Sequence, residues 1–132
     1  MTEFKFKKAS TDDIHVELIS KLFSFRTQLH ISHLQSTSYS EHKLLNKLYD
    51  SVLDATDTLA ETLQGKLGYR LTKYQSYPFK DNEDVASCIK EYLKYMSEYR
   101  AKLPKPEWNN IDNQLQVLQD TLEQSLYLLT LK

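Results

Sequence analysis

The chain of 132 residues holds only two glycines, three prolines and one cysteine. An average composition would supply roughly nine glycines and six prolines. A sandwich or barrel needs a turn every few residues, and this shortage leaves too few turn formers to close one. The single cysteine, Cys88, excludes an intrachain disulfide and any cysteine-rich zinc site; it is what a reducing compartment allows, so a cytoplasmic location is expected. An excess of one charge is also missing. Seventeen Lys and Arg stand against eighteen Asp and Glu, for a net charge of −1, which argues against an electrostatic nucleic-acid binder. No apolar run is long enough to span a membrane, and residues 1–10 (MTEFKFKKAS) contain no signal-peptide core. There is no Gly-rich phosphate loop, and Cys88 has no histidine close in sequence to activate it as a nucleophile.

What is present is helical periodicity. Ile14, Leu18, Leu22, Phe25 and Leu29 recur every three or four residues behind a Thr11-Asp12-Asp13 start signal. Leu45, Leu48, Val52, Ala55, Leu59 and Leu63 form a second stripe, expected to start near Ser38–Ser40 and to stop before Gly65. Val85, Ile89, Leu93 or Tyr92, Met96 and Tyr99 form a third, opened by Asp81-Asn82 and closed by Pro104 and Pro106. Ile111, Leu115, Leu118, Leu122, Leu126 and Leu129 form a fourth that runs almost to Lys132. Each stripe is expected to be a helix of about 20 to 26 residues, roughly 30 to 39 Å long. The expectation is one all-α domain over residues 1–132, a four-helix bundle with an N-terminal tail at 1–10. Its loops are short except for a crossover at 65–81, the connectivity of ferritin-like bundles.

The second helix carries another stripe off its core face. His42, Asn46, Asp50, Asp54, Asp57 and Glu61 follow one another at steps of four, four, four, three and four. At about 100° per residue, His42, Asn46, Asp57 and Glu61 share an arc of roughly 100°. A solvated acidic face is the ordinary explanation of such a run, but this arc also holds Tyr49, Leu53, Thr56 and Ala60, the mixture of an interface. His42 and Glu61 are about 28 Å apart along one helix, so one chain cannot bring both to one metal. An antiparallel two-fold copy can, with the crossing near Ser51 and Val52. His30 lies across the tight turn at the height of His42 and Asn46 and well away from the first core stripe. Two imidazoles and an amide would then face two carboxylates from the partner, a donor set suited to Fe(II), with zinc or manganese as alternatives. His33, nearer the core stripe, is expected to be a packed or capping histidine; with Asp50 and Asp54 it forms the secondary ligand candidates.

The pattern His30-x11-His42-x3-Asn46-x10-Asp57-x3-Glu61 resembles the ferroxidase spacing of Dps-like mini-ferritins, which carry His, His, Asp, Asp and Glu there. Leu29-His30, Tyr49-Asp50 and Asp57-Thr58-Leu59-Ala60-Glu61 are similar to that family's first two helices. The resemblance covers about residues 20–64, and the rest only as a helix pattern of the right length. The run from His33 to Lys43 (HLQSTSYSEHK), with Gln64-Gly65-Lys66, is closer still to an uncharacterised Dps-like family found mainly in bacteriophages. The resemblance implies inter-subunit iron sites, with His30 and His42 as nitrogen ligands, Asp57 and Glu61 as carboxylate ligands from the partner, and self-association into a dimer or a larger shell.

Three departures accompany it. Asn46 stands where the family has Asp, which removes a negative charge and weakens any ferroxidase activity. Ile31 replaces the family's usual tryptophan, and Lys5, Lys7 and Lys8 make too short a basic tail to carry DNA. Two functions are therefore expected: iron binding with oxidation or storage, or a phage structural or interaction protein that keeps the bundle and its dimer interface around a degenerate site. Of the remaining features, Tyr69, Tyr74, Tyr77 and Phe79 with Lys66, Arg70, Lys73 and Lys80 could stack bases and track phosphates, but are expected to plug the crossover onto the bundle. Trp108 is expected to be a packing anchor and Cys88 to be buried.

Overall fold

The computed structural model describes residues 13–131; the N-terminal tail with Lys5, Lys7 and Lys8, and Lys132, lie outside the described residues. Among the described residues four helices make up an all-α fold: α1 (Ile14–Gln35), α2 (Tyr39–Leu67), α3 (Val85–Ala101) and α4 (Asn109–Leu128). Three of them start where a short polar side chain satisfies a free N–H of the first turn. Asp13 accepts from the His15 N–H at 2.7 Å, Ser38 from that of Glu41 at 3.3 Å, and Asp84 from that of Ser87 at 3.4 Å. Trp108 precedes α4 with no side-chain cap.

Two boundaries differ from the expected ones. Gly65 does not end α2, which runs on to Leu67 for 29 residues, and Gly68 caps it instead. The reason is backbone conformation: Gly68 sits at φ 77°, in the left-handed region, with its N–H bonded to the Gln64 carbonyl. Nor do Asp81 and Asn82 open α3. Asp81 Oδ1 accepts from Gln35 Nε2 at 2.8 Å, and the Asn82 N–H donates to Gln35 Oε1 at 2.8 Å, which ties this dipeptide to the end of α1. Asp84 takes over as the cap, and α3 has only 17 residues.

α1 packs against α2 and α3, and α4 packs against the same two helices. The core between them holds Leu18, Leu22, Phe25, Leu45, Val52, Ile89, Met96 and Leu115, all fully or almost fully buried, and Cys88 is buried at its edge. α1 buries polar residues as well, among them Ser20, Ser24, Gln28 and Ser32. The 68–84 connection accounts for two of them. The Gln75 N–H donates to Ser20 Oγ at 2.9 Å, and the Gln28 amide pairs with the Lys80 backbone through both its groups, at 2.8 and 3.0 Å. The connection thus descends along α1, from Tyr69 beside Asp13 to Asp81 beside Gln35. Of its rings, Tyr77 lies under the Lys21 ammonium at 4.5 Å, whereas Tyr74 and Phe79 are about half exposed. No helix among the described residues is long and apolar enough to cross a membrane.

Candidate functional site

The turn between α1 and α2 brings three histidines together. His33 Nδ1 lies 2.6 Å from the His42 carbonyl oxygen, and His42 Nδ1 lies 2.8 Å from the His33 carbonyl oxygen. A carbonyl oxygen only accepts, so both Nδ1 atoms carry a proton. In the neutral rings Nε2 therefore holds the lone pair, the arrangement in which a backbone carbonyl orients a metal-ligating histidine. The two rings stack at 3.7 Å between centroids. His33 is 9% exposed, as a packed histidine should be.

His30 is held differently. Its ring stacks on Tyr49 at 4.2 Å and 12°, and the Arg26 guanidinium covers the same tyrosine at 5.0 Å. Arg26 and His30 are one turn apart on α1, so Tyr49 of α2 slots between successive turns. Arg26 Nε is buried without a hydrogen-bond partner among the described residues. The Tyr49 hydroxyl donates to Asn46 Oδ1 at 2.7 Å. Burial, then Arg26, then His33 hold the His30 pKa below its ordinary value, with Asp50 pulling the other way. A neutral His30 keeps a lone pair for a cation at neutral pH. Beside this cluster lies an open depression of about 410 Å³ lined by His33, His42, Lys43, Asn46 and Lys47.

The expected ligands thus fall into two groups within one chain. His30, His42 and Asn46 surround one end of the α1–α2 pair, with His33 among them. Asp57 and Glu61 lie exposed further along α2, as do Asp50 and Asp54. Among the described residues of one chain, no three His, Cys, Asp or Glu side chains come together to hold a metal. Of the expected interface residues, Leu53 is 37% exposed and Tyr49 and Ala60 are half-buried. Thr56 is a correction. It is fully buried, with its hydroxyl bonded to the Val52 carbonyl at 2.6 Å, so it faces the core of its own bundle and presents nothing to a partner. A polar residue three positions from Leu53 reads as surface in sequence, but an internal hydroxyl–carbonyl bond lets threonine pack inside.

Residues 33–129 match the model of a family of unknown function, DUF5856. The chain belongs to the DUF5856 family. The matched span includes His33, His42, Asn46, Asp57 and Glu61 and leaves His30 outside. No curated protein and no solved structure matches this DUF5856 chain.

Reading the sequence missed two features of this DUF5856 protein. One is Arg26, whose signal was its one-turn spacing from His30. The other is a clamp at the opposite end of the bundle. His15 stacks on Trp108 at 5.0 Å and 10°, and its Nδ1 lies 2.7 Å from the Tyr99 hydroxyl. Tyr69 donates to Asp13, and Lys66 reaches both the Trp108 ring and the Glu107 carbonyl. Burial pushes Tyr69 up to about 12, helped by Asp13, and lowers His15 against the pull of Asp13. These contacts tie the ends of all four helices together, with Trp108 as the expected anchor, and Lys66 roofs the ring. Burial pushes the Cys88 thiol up to about 12, so it stays protonated at neutral pH.

Proposed function

We propose that this DUF5856 chain is a ferritin-like bundle of the Dps type that pairs through the free face of α2 and binds a divalent transition metal, Fe(II) first, between two copies. The observation that carries the reading is the division of that face. Lys43, Asn46 and Lys47 are exposed toward its N-terminal end, and Asp50, Asp54, Asp57 and Glu61 toward its C-terminal end. An antiparallel two-fold copy turns each half toward its opposite. Lys43 then meets Glu61 and Lys47 meets Asp57 with the axis beside Val52, so one register serves both pairs.

The same pairing carries Asp57 and Glu61 of one chain to His30 and His42 of the other. The donor chemistry suits the metal: a fixed Nε2 on His42, a neutral His30 and two exposed carboxylates. In this reading iron is the substrate. The imidazoles hold it without adding charge, and the two carboxylates neutralise a single Fe(II). Asn46 supplies no third negative charge, so binding should exceed oxidation. That residue also supports the second reading, an interaction protein that keeps the bundle and its interface without the chemistry.

The test is anaerobic Fe(II) binding to protein purified without a metal-affinity tag, for the parent and for Glu61→Gln. One Fe(II) per shared site in the parent, weakened in the variant, supports the metal reading. No binding by either at micromolar iron overturns it and leaves the interaction protein.

A further inference from the structure

We infer that Tyr49 is the positioning residue of this site: its ring orients His30, and the Asn46 amide oxygen serves as the anchor of the tyrosine rather than as a metal ligand. The inference rests on the metal reading above. His33 and His42 each have a backbone carbonyl to fix their rings. Neither nitrogen of His30 has a hydrogen-bond partner among the described residues, so the stacking on Tyr49 at 4.2 Å takes the place of that orienting bond. Tyr49 in turn is held from three sides. The Arg26 guanidinium lies over its ring at 5.0 Å, His33 meets it edge-on at 5.5 Å, and its hydroxyl is tied to Asn46 Oδ1 at 2.7 Å.

Both sites of attachment lie on rigid elements, Arg26 and His30 on α1 and Tyr49 and Asn46 on α2. The ring contacts fix the plane of the phenol ring, and the hydroxyl bond fixes its tilt. An amide oxygen already accepting a hydroxyl proton has less electron density to offer a cation. A neutral acceptor is sufficient for a phenol donor, so the position tolerates Asn without losing the rack that holds His30.

The test uses Co(II) as the probe, titrated anaerobically into the metal-free full chain and followed by visible absorption. Parent, Tyr49→Phe, Asn46→Leu, their double variant and Tyr49→Leu are compared, with thermal melts of each. An anchoring role predicts that Tyr49→Phe and Asn46→Leu weaken Co(II) by a similar factor, about 10-fold. It also predicts that the double variant is no worse than either single one, because both remove the same bond. Tyr49→Leu, which also removes the stack, should lose more. In the metal-free protein, proton NMR should show the His30 ring signals displaced by the Tyr49 ring current in parent and Tyr49→Phe, and not in Tyr49→Leu. If Asn46→Leu abolishes Co(II) binding while Tyr49→Phe leaves it unchanged, Asn46 is a ligand and the inference is overturned. Equal binding by parent and Tyr49→Leu overturns it as well. A parent that binds no Co(II) overturns the metal reading itself and takes this inference with it.

Discussion

Reversing the two lysines at the basic end of the α2 face gives a sharp test of self-pairing. Lys43, Lys47, Asp57 and Glu61 are all exposed in the single chain, so changing them should leave the bundle's own stability within about 0.5 kcal/mol. In the proposed two-fold pair each lysine would meet a carboxylate twice over, once on either side of the axis. Exposed ion pairs contribute about 0.2 to 1 kcal/mol each, so the four together stabilise the dimer by about 1 to 4 kcal/mol. In that pairing Asp50 and Asp54 would approach the partner's carboxylates near the axis, and that repulsion would offset part of the gain. Lys43→Glu with Lys47→Glu removes four attractions and adds four repulsions of similar size. Even at the low end this is about 2 kcal/mol, a dimer roughly 30-fold weaker. Sedimentation equilibrium at 50 mM salt should show the parent as a dimer and the double reversal as mostly monomer, with the difference shrinking at 500 mM as screening grows. Adding Asp57→Lys and Glu61→Lys to the double reversal swaps the two ends and should bring the dimer back. A quadruple swap that stays monomeric, or a double reversal that stays dimeric, would refute antiparallel pairing in this register.

Three further outcomes are expected. Leu53→Arg places a charge on the proposed pairing face and should yield a folded monomer, seen as a halved mass in light scattering with the helical circular dichroism retained. Stability in urea should fall between pH 7.5 and 5.5, because burial keeps the His15 pKa below its unfolded value near 6.5. Its contribution is complete above that unfolded value and is lost as pH falls through the folded one. His15→Gln should flatten the slope, and an undiminished slope would exclude His15 as its main source. Arg100 holds Asp112 through two bonds, at 2.7 and 3.3 Å, and also reaches Gln119, joining α3 to α4. Arg100→Met strands the buried carboxylate with only Lys105 nearby at 3.5 Å, and should cost about 2 to 4 kcal/mol in urea unfolding. A cost under about 0.5 kcal/mol would show that the Lys105 ammonium replaces it.

The four helices were legible in the chain because burial of one apolar stripe dictates a 3.6-residue period, and residues of all four stripes, such as Leu22, Leu48, Ile89 and Leu115, fill the core. Spacing along one helix is equally local, so the division of α2 into a basic and an acidic half could be read directly from Lys43 to Glu61. Other features depended on contacts across elements. Gly65 and Gly68 look alike in sequence, and only the left-handed backbone at Gly68 distinguishes the one that ends the helix. Asp81 was a plausible cap until Gln35, 46 residues earlier, claimed its side chain. The placement of Thr56 was decided by its hydroxyl bond to the Val52 carbonyl, which makes a polar residue compatible with the core. The candidate site shows the same limit. Helix spacing was enough to put His30, His42 and Asn46 at one end of the α1–α2 pair, but the proton positions on His33 and His42 follow from carbonyls that meet them across the turn. Likewise, the Arg26–Tyr49–His30 stack exists only because α1 and α2 lie side by side. Periodicity within a helix is fixed by the chain's own geometry; the partner each side chain meets is fixed by which helices the buried core brings together.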